Sequence, residues 1–88
     1  MRKPTTPGEI LRIEFLEPHG MTQRELAERI GCEVKKINRI VNGRIRVNAK
    51  TALQLERVFG SSANFWMNAQ LAVDLYKIEK DLNGRNNN

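Results

Sequence analysis

Thr22–Gly43, TQRELAERIGCEVKKINRIVNG, is the stretch that decides the fold. Thr22 with Glu25 makes a capping box, in which the hydroxyl takes a backbone N–H and the carboxylate reaches back to the cap. Leu26, Ala27 and Ile30 follow at helical spacing as one apolar stripe. Gly31 supplies the left-handed conformation that ends a helix and turns the chain. Ile37, Ile40 and Val41 form a second stripe, closed by Asn42-Gly43. Ala27 falls where two such helices must approach closely. A capping box and a turn glycine occur in any helical hairpin. Together with the small Ala27, and apolar residues six and nine positions after the glycine, they point to a helix-turn-helix. That motif is the simplest structure that lays one helix against a DNA duplex.

Charge singles out the second helix of this pair. The 88-residue chain carries a net +5. Residues 33–50 hold Lys35, Lys36, Arg39, Arg44, Arg46 and Lys50 against Glu33 alone, so this window carries the whole excess. Elsewhere nine basic and nine acidic residues cancel. A uniformly solvated surface would not concentrate its excess in one helix and the following loop. The pattern is that of a phosphate-binding face; a patch for an acidic protein partner is the alternative.

Working outward, the pattern predicts an all-α domain of five helices, over about 7–17, 23–30, 33–42, 49–59 and 62–82. A disordered tail is expected at 83–88. Thr6, Pro7 and Glu9 start the first helix, whose core contacts are Ile10, Leu11, Phe15 and Leu16. Pro18-His19-Gly20 breaks it. Val47 anchors the loop before Asn48, which caps the fourth helix, and Ala52, Leu55, Val58 and Phe59 form that helix's buried side. Gly60 ends it and Ser61-Ser62 open the fifth. The fifth helix is more apolar than one face of a small domain needs, which predicts a homodimer with Phe65, Trp66, Val73 and Tyr76 at its interface.

The length allows one small core, and no apolar run spans a bilayer. The MRKPTTPGE start lacks the apolar stretch of a secretory signal. Cys32 is the single cysteine, so no internal disulfide forms, and a small thiol packed between helices is expected. A cytoplasmic location fits. Nothing marks an enzyme, a metal site or a cofactor. The one histidine, His19, sits in a loop, and neither metal-ligand spacing nor a glycine-rich phosphate loop is present.

The chain from Pro7 to Tyr76 resembles the HigA family of antitoxins, within the Cro/repressor-like helix-turn-helix proteins. The matching blocks are Pro7-Gly8-Glu9-Ile10-Leu11, Phe15-Leu16-Glu17-Pro18, the helix-turn-helix, Asn42-Gly43, Thr51-Ala52-Leu53, Phe59-Gly60, and Phe65-Trp66-Met67-Asn68 with Gln70 and Asp74-Leu75. The resemblance implies a repressor that binds a palindromic operator in double-stranded DNA as a homodimer. It also implies an antitoxin that neutralises a small RelE-like ribonuclease. An autonomous repressor without a toxin, and a protein-interaction module whose DNA binding has lapsed, are the alternatives.

The resemblance further implies that Val34, Lys35, Asn38 and Arg39 face the bases. Arg39 suits guanine O6 and N7, and Val34 a thymine methyl. Thr22, Gln23, Lys36, Arg44, Arg46 and Lys50 are expected on phosphates, where contacts position without specifying. Glu33 stands where the family usually has a serine or threonine. A carboxylate there favours the helix dipole but repels phosphate. Only about six residues flank the helices at either end, so a toxin is expected to dock on a folded surface, with Ile13 or the Arg2-Lys3 arm as contacts.

Overall fold

The computed structural model describes residues 2–86. Five helical segments follow in order: α1 (Pro7–Ile10, continuing as a π-helix over Leu11–Leu16), α2 (Gln23–Ile30), α3 (Val34–Val41), α4 (Ala49–Phe59) and α5 (Ala63–Asn86). No strand is present among the described residues. The predicted caps form. Thr6 and Thr22 each build a full capping box, with Glu9 and Glu25, and Asn48 Oδ1 accepts from the Thr51 N–H at 2.9 Å. Gly31 takes φ 83°, and the Gly31 and Cys32 N–H groups both donate to the Ala27 carbonyl, which closes α2 and turns the chain into α3. Cys32 is half-buried against the core.

Leu11, Leu16, Leu26, Ala27, Ile37, Ile40, Val47, Ala52, Leu55 and Trp66 form one buried cluster. Phe15 closes it on one side, with its ring 4.9 Å from Phe59 and 5.1 Å from Trp66. Such tilted pairs add to the burial of the rings themselves. Helices α2 and α3 pack on each other, α4 supports α2, and α1 crosses α3.

Two features of the first segment depart from a plain helix. Its second half is π-helical, with the Glu17 N–H donating to Arg12 O, five residues back, at 3.0 Å. Residues five apart lie about 140° apart on an α-helix, whereas here Leu11 and Leu16 are both buried. Arg12 and Glu17, also five apart, form an ion pair at 2.9 Å. Pro18 ends the stretch. It has no N–H for the Glu14 carbonyl, and an α-helical turn would press its ring against that group. The second feature is Gly8. A Cβ there would lie 2.0 Å from the Ile40 carbonyl oxygen and 2.7 Å from that of Val41. Helix α1 thus rests directly on the backbone of α3.

Helix α5 opens at Ser61-Ser62 as expected and departs from expectation at its far end. Its first turn is held by side chains: Ser62 Oγ accepts from the Phe65 N–H at 3.0 Å, and Glu56 accepts from the Ala63 N–H at 2.8 Å. At the far end the helix does not fade at Leu82 but continues to Asn86. Helical backbone bonding persists through Gly84, a residue that costs roughly 1 kcal/mol relative to alanine in a helix. Residues 83–86 of the expected disordered tail are therefore helical, and 87–88 lie outside the described residues. The helix overshoots the core, which gives a molecule 48 × 23 × 22 Å.

Trp66 and Val73 are buried in the core of their own chain and have almost no surface for a second copy. That corrects their assignment to a dimer interface. A tryptophan near the start of a helix that closes a small core is the largest apolar group available to fill it, and its Nε1 donates to Ser61 Oγ at 2.9 Å. The apolar surface left on α5 lies further along. Leu71, Leu75, Ile78 and Leu82 are 52–56% exposed. Their spacing of four, three and four residues is that of a coiled-coil seam. Phe65 is exposed beside α1, and Tyr76 is half-buried.

Candidate nucleic-acid interface

Helix α3 is fixed from three sides. Ile37 and Ile40 bury one face in the core, α2 lies against it, and α1 touches the backbone of its last turn at Gly8. The opposite face is free. Val34, Lys35, Asn38 and Arg39 are all exposed, as their assignment to base contacts requires. Lys35, Asn38 and Arg39 line one shallow depression together with Asn42 and Arg44. Three cations therefore surround two amides on a helix face that is otherwise uncommitted. Arg44 reaches this place because its N–H donates to the Arg39 carbonyl at 2.8 Å, which folds the loop back along the helix end.

The amides are connected. Asn42 Nδ2 donates to Asn38 Oδ1 at 3.2 Å, and Asn38 Nδ2 donates to Gln23 Oε1 at 3.2 Å. This row ties the first residue of α2 to the middle of α3. The sequence places Gln23 on phosphate, Asn38 on bases and Asn42 only at a helix end. Its signal was the i, i+4 spacing from Asn38, which brings side chains together on a helix.

Not every expected phosphate contact faces this surface. The Thr22 hydroxyl is committed to its capping box, accepting from the Glu25 N–H at 3.0 Å and donating to Glu25 Oε1 at 3.2 Å. Lys36 is half-buried, away from the depression, whereas Lys50 is exposed at the start of α4. Arg46 is tied to α5. Its guanidinium donates to both carboxylate oxygens of Asp74, with Nε 3.1 Å from Oδ2. The bond from Arg46 holds the Asp74 carboxyl below its ordinary pKa, helped by a bond from Gln70, and Asp74 in turn raises the pKa of Arg46. Arg46 is thus a tie within the fold rather than a free phosphate contact, a correction with a plain electrostatic cause.

Gln70 completes the tie. It is buried, its Oε1 accepts from the Val47 N–H at 2.8 Å, and its Nε2 donates to Asp74 Oδ1 at 3.0 Å. Gln70 and Asp74, recognised in the sequence only as part of a family block, hold the loop between α3 and α4 against α5.

Glu33 is the N-cap of α3, yet its side chain makes no capping hydrogen bond. The first turn of the exposed helix is left without a side-chain acceptor. His19 is a loop residue, as expected. Its Nδ1 lies 2.6 Å from the Phe15 carbonyl oxygen, and its ring packs near Phe59. No group of three or more His, Cys, Asp or Glu is placed to hold a metal among the described residues. No helix of the described residues is long and apolar enough to cross a membrane.

Residues 13–66 match the helix-turn-helix family model. The chain is 38% identical over 92% of its length to the HTH-type transcriptional regulator YbaQ of Escherichia coli, covering 72% of that protein. It is 40% identical over 85% of its length to the antitoxin HigA-1 of Vibrio cholerae, covering 70% of it. Among solved structures, Pseudomonas aeruginosa antitoxin HigA with the higBA promoter superimposes with a TM-score of 0.88 at 34% identity, over 93% of this chain and 89% of that one. The chain belongs to the helix-turn-helix family, and within it to the HigA-type antitoxins and regulators.

Proposed function

We propose that this protein binds double-stranded DNA in a sequence-specific manner as a homodimer, and represses transcription from a palindromic operator. The observation that carries this reading is the exposed face of α3. Lys35, Asn38, Arg39 and Arg44 converge there around one depression, in the window that holds the chain's whole excess charge. That the related P. aeruginosa antitoxin HigA is solved with the higBA promoter supports DNA as the ligand. Val34, Lys35, Asn38 and Arg39 read base edges, while Gln23, Arg44 and Lys50 hold phosphates. Two such helices enter successive major grooves about 34 Å apart. The seam of Leu71, Leu75, Ile78 and Leu82 joins the two copies.

The antitoxin half of the reading is that a folded surface captures a small, basic, RelE-like ribonuclease. Exposed Ile13, beside Ile10, Glu14 and Phe65 in a groove on α1, is the proposed contact. A regulator without a toxin is the second reading; the similar YbaQ is named as an uncharacterized HTH-type transcriptional regulator and not as an antitoxin. Co-expression with a RelE-like ribonuclease encoded beside the gene, where the neighbouring reading frame is short and basic, separates the two. A stable complex that restores growth, and is lost on Ile13→Asp, supports the antitoxin. A complex unaffected by Ile13→Asp removes that surface, and no complex leaves the autonomous regulator. For the DNA reading, fluorescence anisotropy with a palindromic promoter fragment and a scrambled duplex is the test. Equal affinity for both contradicts it.

A further inference from the structure

The row Asn42–Asn38–Gln23 carries more than a list of contacts. Asn38 uses one of its two amide hydrogens on Gln23 Oε1 and one lone pair on Asn42 Nδ2. One N–H and one lone pair of Asn38 stay free on the exposed face of α3. A free donor beside a free acceptor matches the N7 acceptor and N6 donor of adenine. At the other end Gln23 accepts through Oε1, which leaves both Nε2 hydrogens free to donate. The opposite sense of the row would be equally well bonded internally. It would, however, turn the Gln23 oxygen outward toward any anion that approaches the start of α2. A phosphate at Gln23 therefore selects the sense of the row, and with it which atom of Asn38 faces which atom of the base.

We infer that Asn42 and Gln23 hold the Asn38 amide in one orientation, so that a backbone phosphate at Gln23 and an A·T pair at Asn38 are read as one coupled unit. Asn42 is then a positioning residue, acting on the base through Asn38. The inference rests on the DNA-binding reading above.

The test is selection of duplex sites from a random library by the wild type and by variants, followed by affinity measurement on the selected site, its single-base variants and an unrelated duplex. Asn42→Ala is expected to lose less affinity for unrelated duplex than for the selected site. Its adenine preference at one position of each half-site should fall about tenfold or more. Asn38→Ala loses the same preference, and the double variant loses no more than Asn38→Ala alone. Gln23→Glu keeps an acceptor for Asn38 but presents no donor to phosphate, so it weakens binding to all sequences while the adenine preference survives. Asn42→Leu, similar in shape without the donor, repeats the Asn42 result if alanine perturbs the helix end. Retained preference in both Asn42 variants, or an equal loss on every sequence, overturns the coupling. A wild type with no sequence preference overturns the DNA-binding reading and the coupling with it, and this is seen before any variant is made.

Discussion

The exposed face of α3 and the far half of α5 are both free of their own core, but for opposite reasons. On α3 the free side chains, Val34 apart, are polar and held from behind. Gly8 seats α1 on the helix backbone, Gln23 and Asn42 bracket Asn38, and Gln70 with Asp74 pins the following loop. This surface is finished within one chain. The far half of α5 projects past the core with Leu71, Leu75, Ile78 and Leu82 more than half exposed, and nothing of its own chain covers them. A preorganised polar face suits a partner that arrives ready-made, such as a duplex. An apolar seam of coiled-coil spacing is completed by a matching seam.

Breaking the support behind α3 has the largest expected effect. Gly8→Ala drives a methyl group into the Ile40 and Val41 carbonyls, backbone atoms that cannot rotate away. A loss of about 3 kcal/mol or more is expected, at the upper end for overpacking, and urea unfolding measures it. An unchanged midpoint would show that α1 is not seated on α3. Leu75→Glu breaks the other region. The core stays intact because Leu75 is outside it, so secondary structure is retained. Sedimentation should show a monomer at micromolar concentration, with operator affinity down at least about a hundredfold as the second half-site is lost. A dimer that survives Leu75→Glu with Ile78→Glu would put the interface elsewhere.

A smaller change sharpens the polar face. Glu33→Ser supplies the missing cap on α3, worth about 1 kcal/mol, and removes a carboxylate from the exposed start of that helix. Both the melting temperature and DNA affinity should rise. A rise in stability with no gain in affinity would mean that Glu33 points away from the duplex.

The smallest effect concerns the tie between the regions. The folded state depresses the Asp74 pKa, so this contribution is present at neutral pH, above the ordinary carboxylate range. It is lost as pH falls through the depressed value. Because Arg46 is largely exposed, solvent screening keeps the loss small. Protection of the Val47 amide, taken relative to its intrinsic exchange rate at each pH, should fall in acid in the wild type, and Asp74→Asn should flatten that dependence. An identical pH response in both would remove Asp74 as its cause.

Local signals in the sequence were enough for the capping boxes, the turn at Gly31 and the paired stripes of α2 and α3, because each depends on residues within a turn or two. What escaped depends on distant partners. Arg46 reads as one more cation in a basic window until Asp74, 28 residues on, is brought beside it. Gly8 reads as part of a helix start until the α3 backbone arrives above it. The π turns follow from packing Leu11 and Leu16 on one side, which α-helical periodicity does not anticipate. On α5 the apolar residues were visible, but not their division between core and surface. Trp66 went inward and Leu71 outward, and only the angle at which the helix lies on the core decides that.

The claim that the α3 face grips phosphate is tested most directly by the salt dependence of duplex binding. With about six or more phosphates neutralised by a dimer, affinity should fall roughly a thousandfold between 50 and 200 mM salt, and Arg44→Ala should lower the slope by about one unit per half-site. An affinity that barely changes over this range would contradict the account.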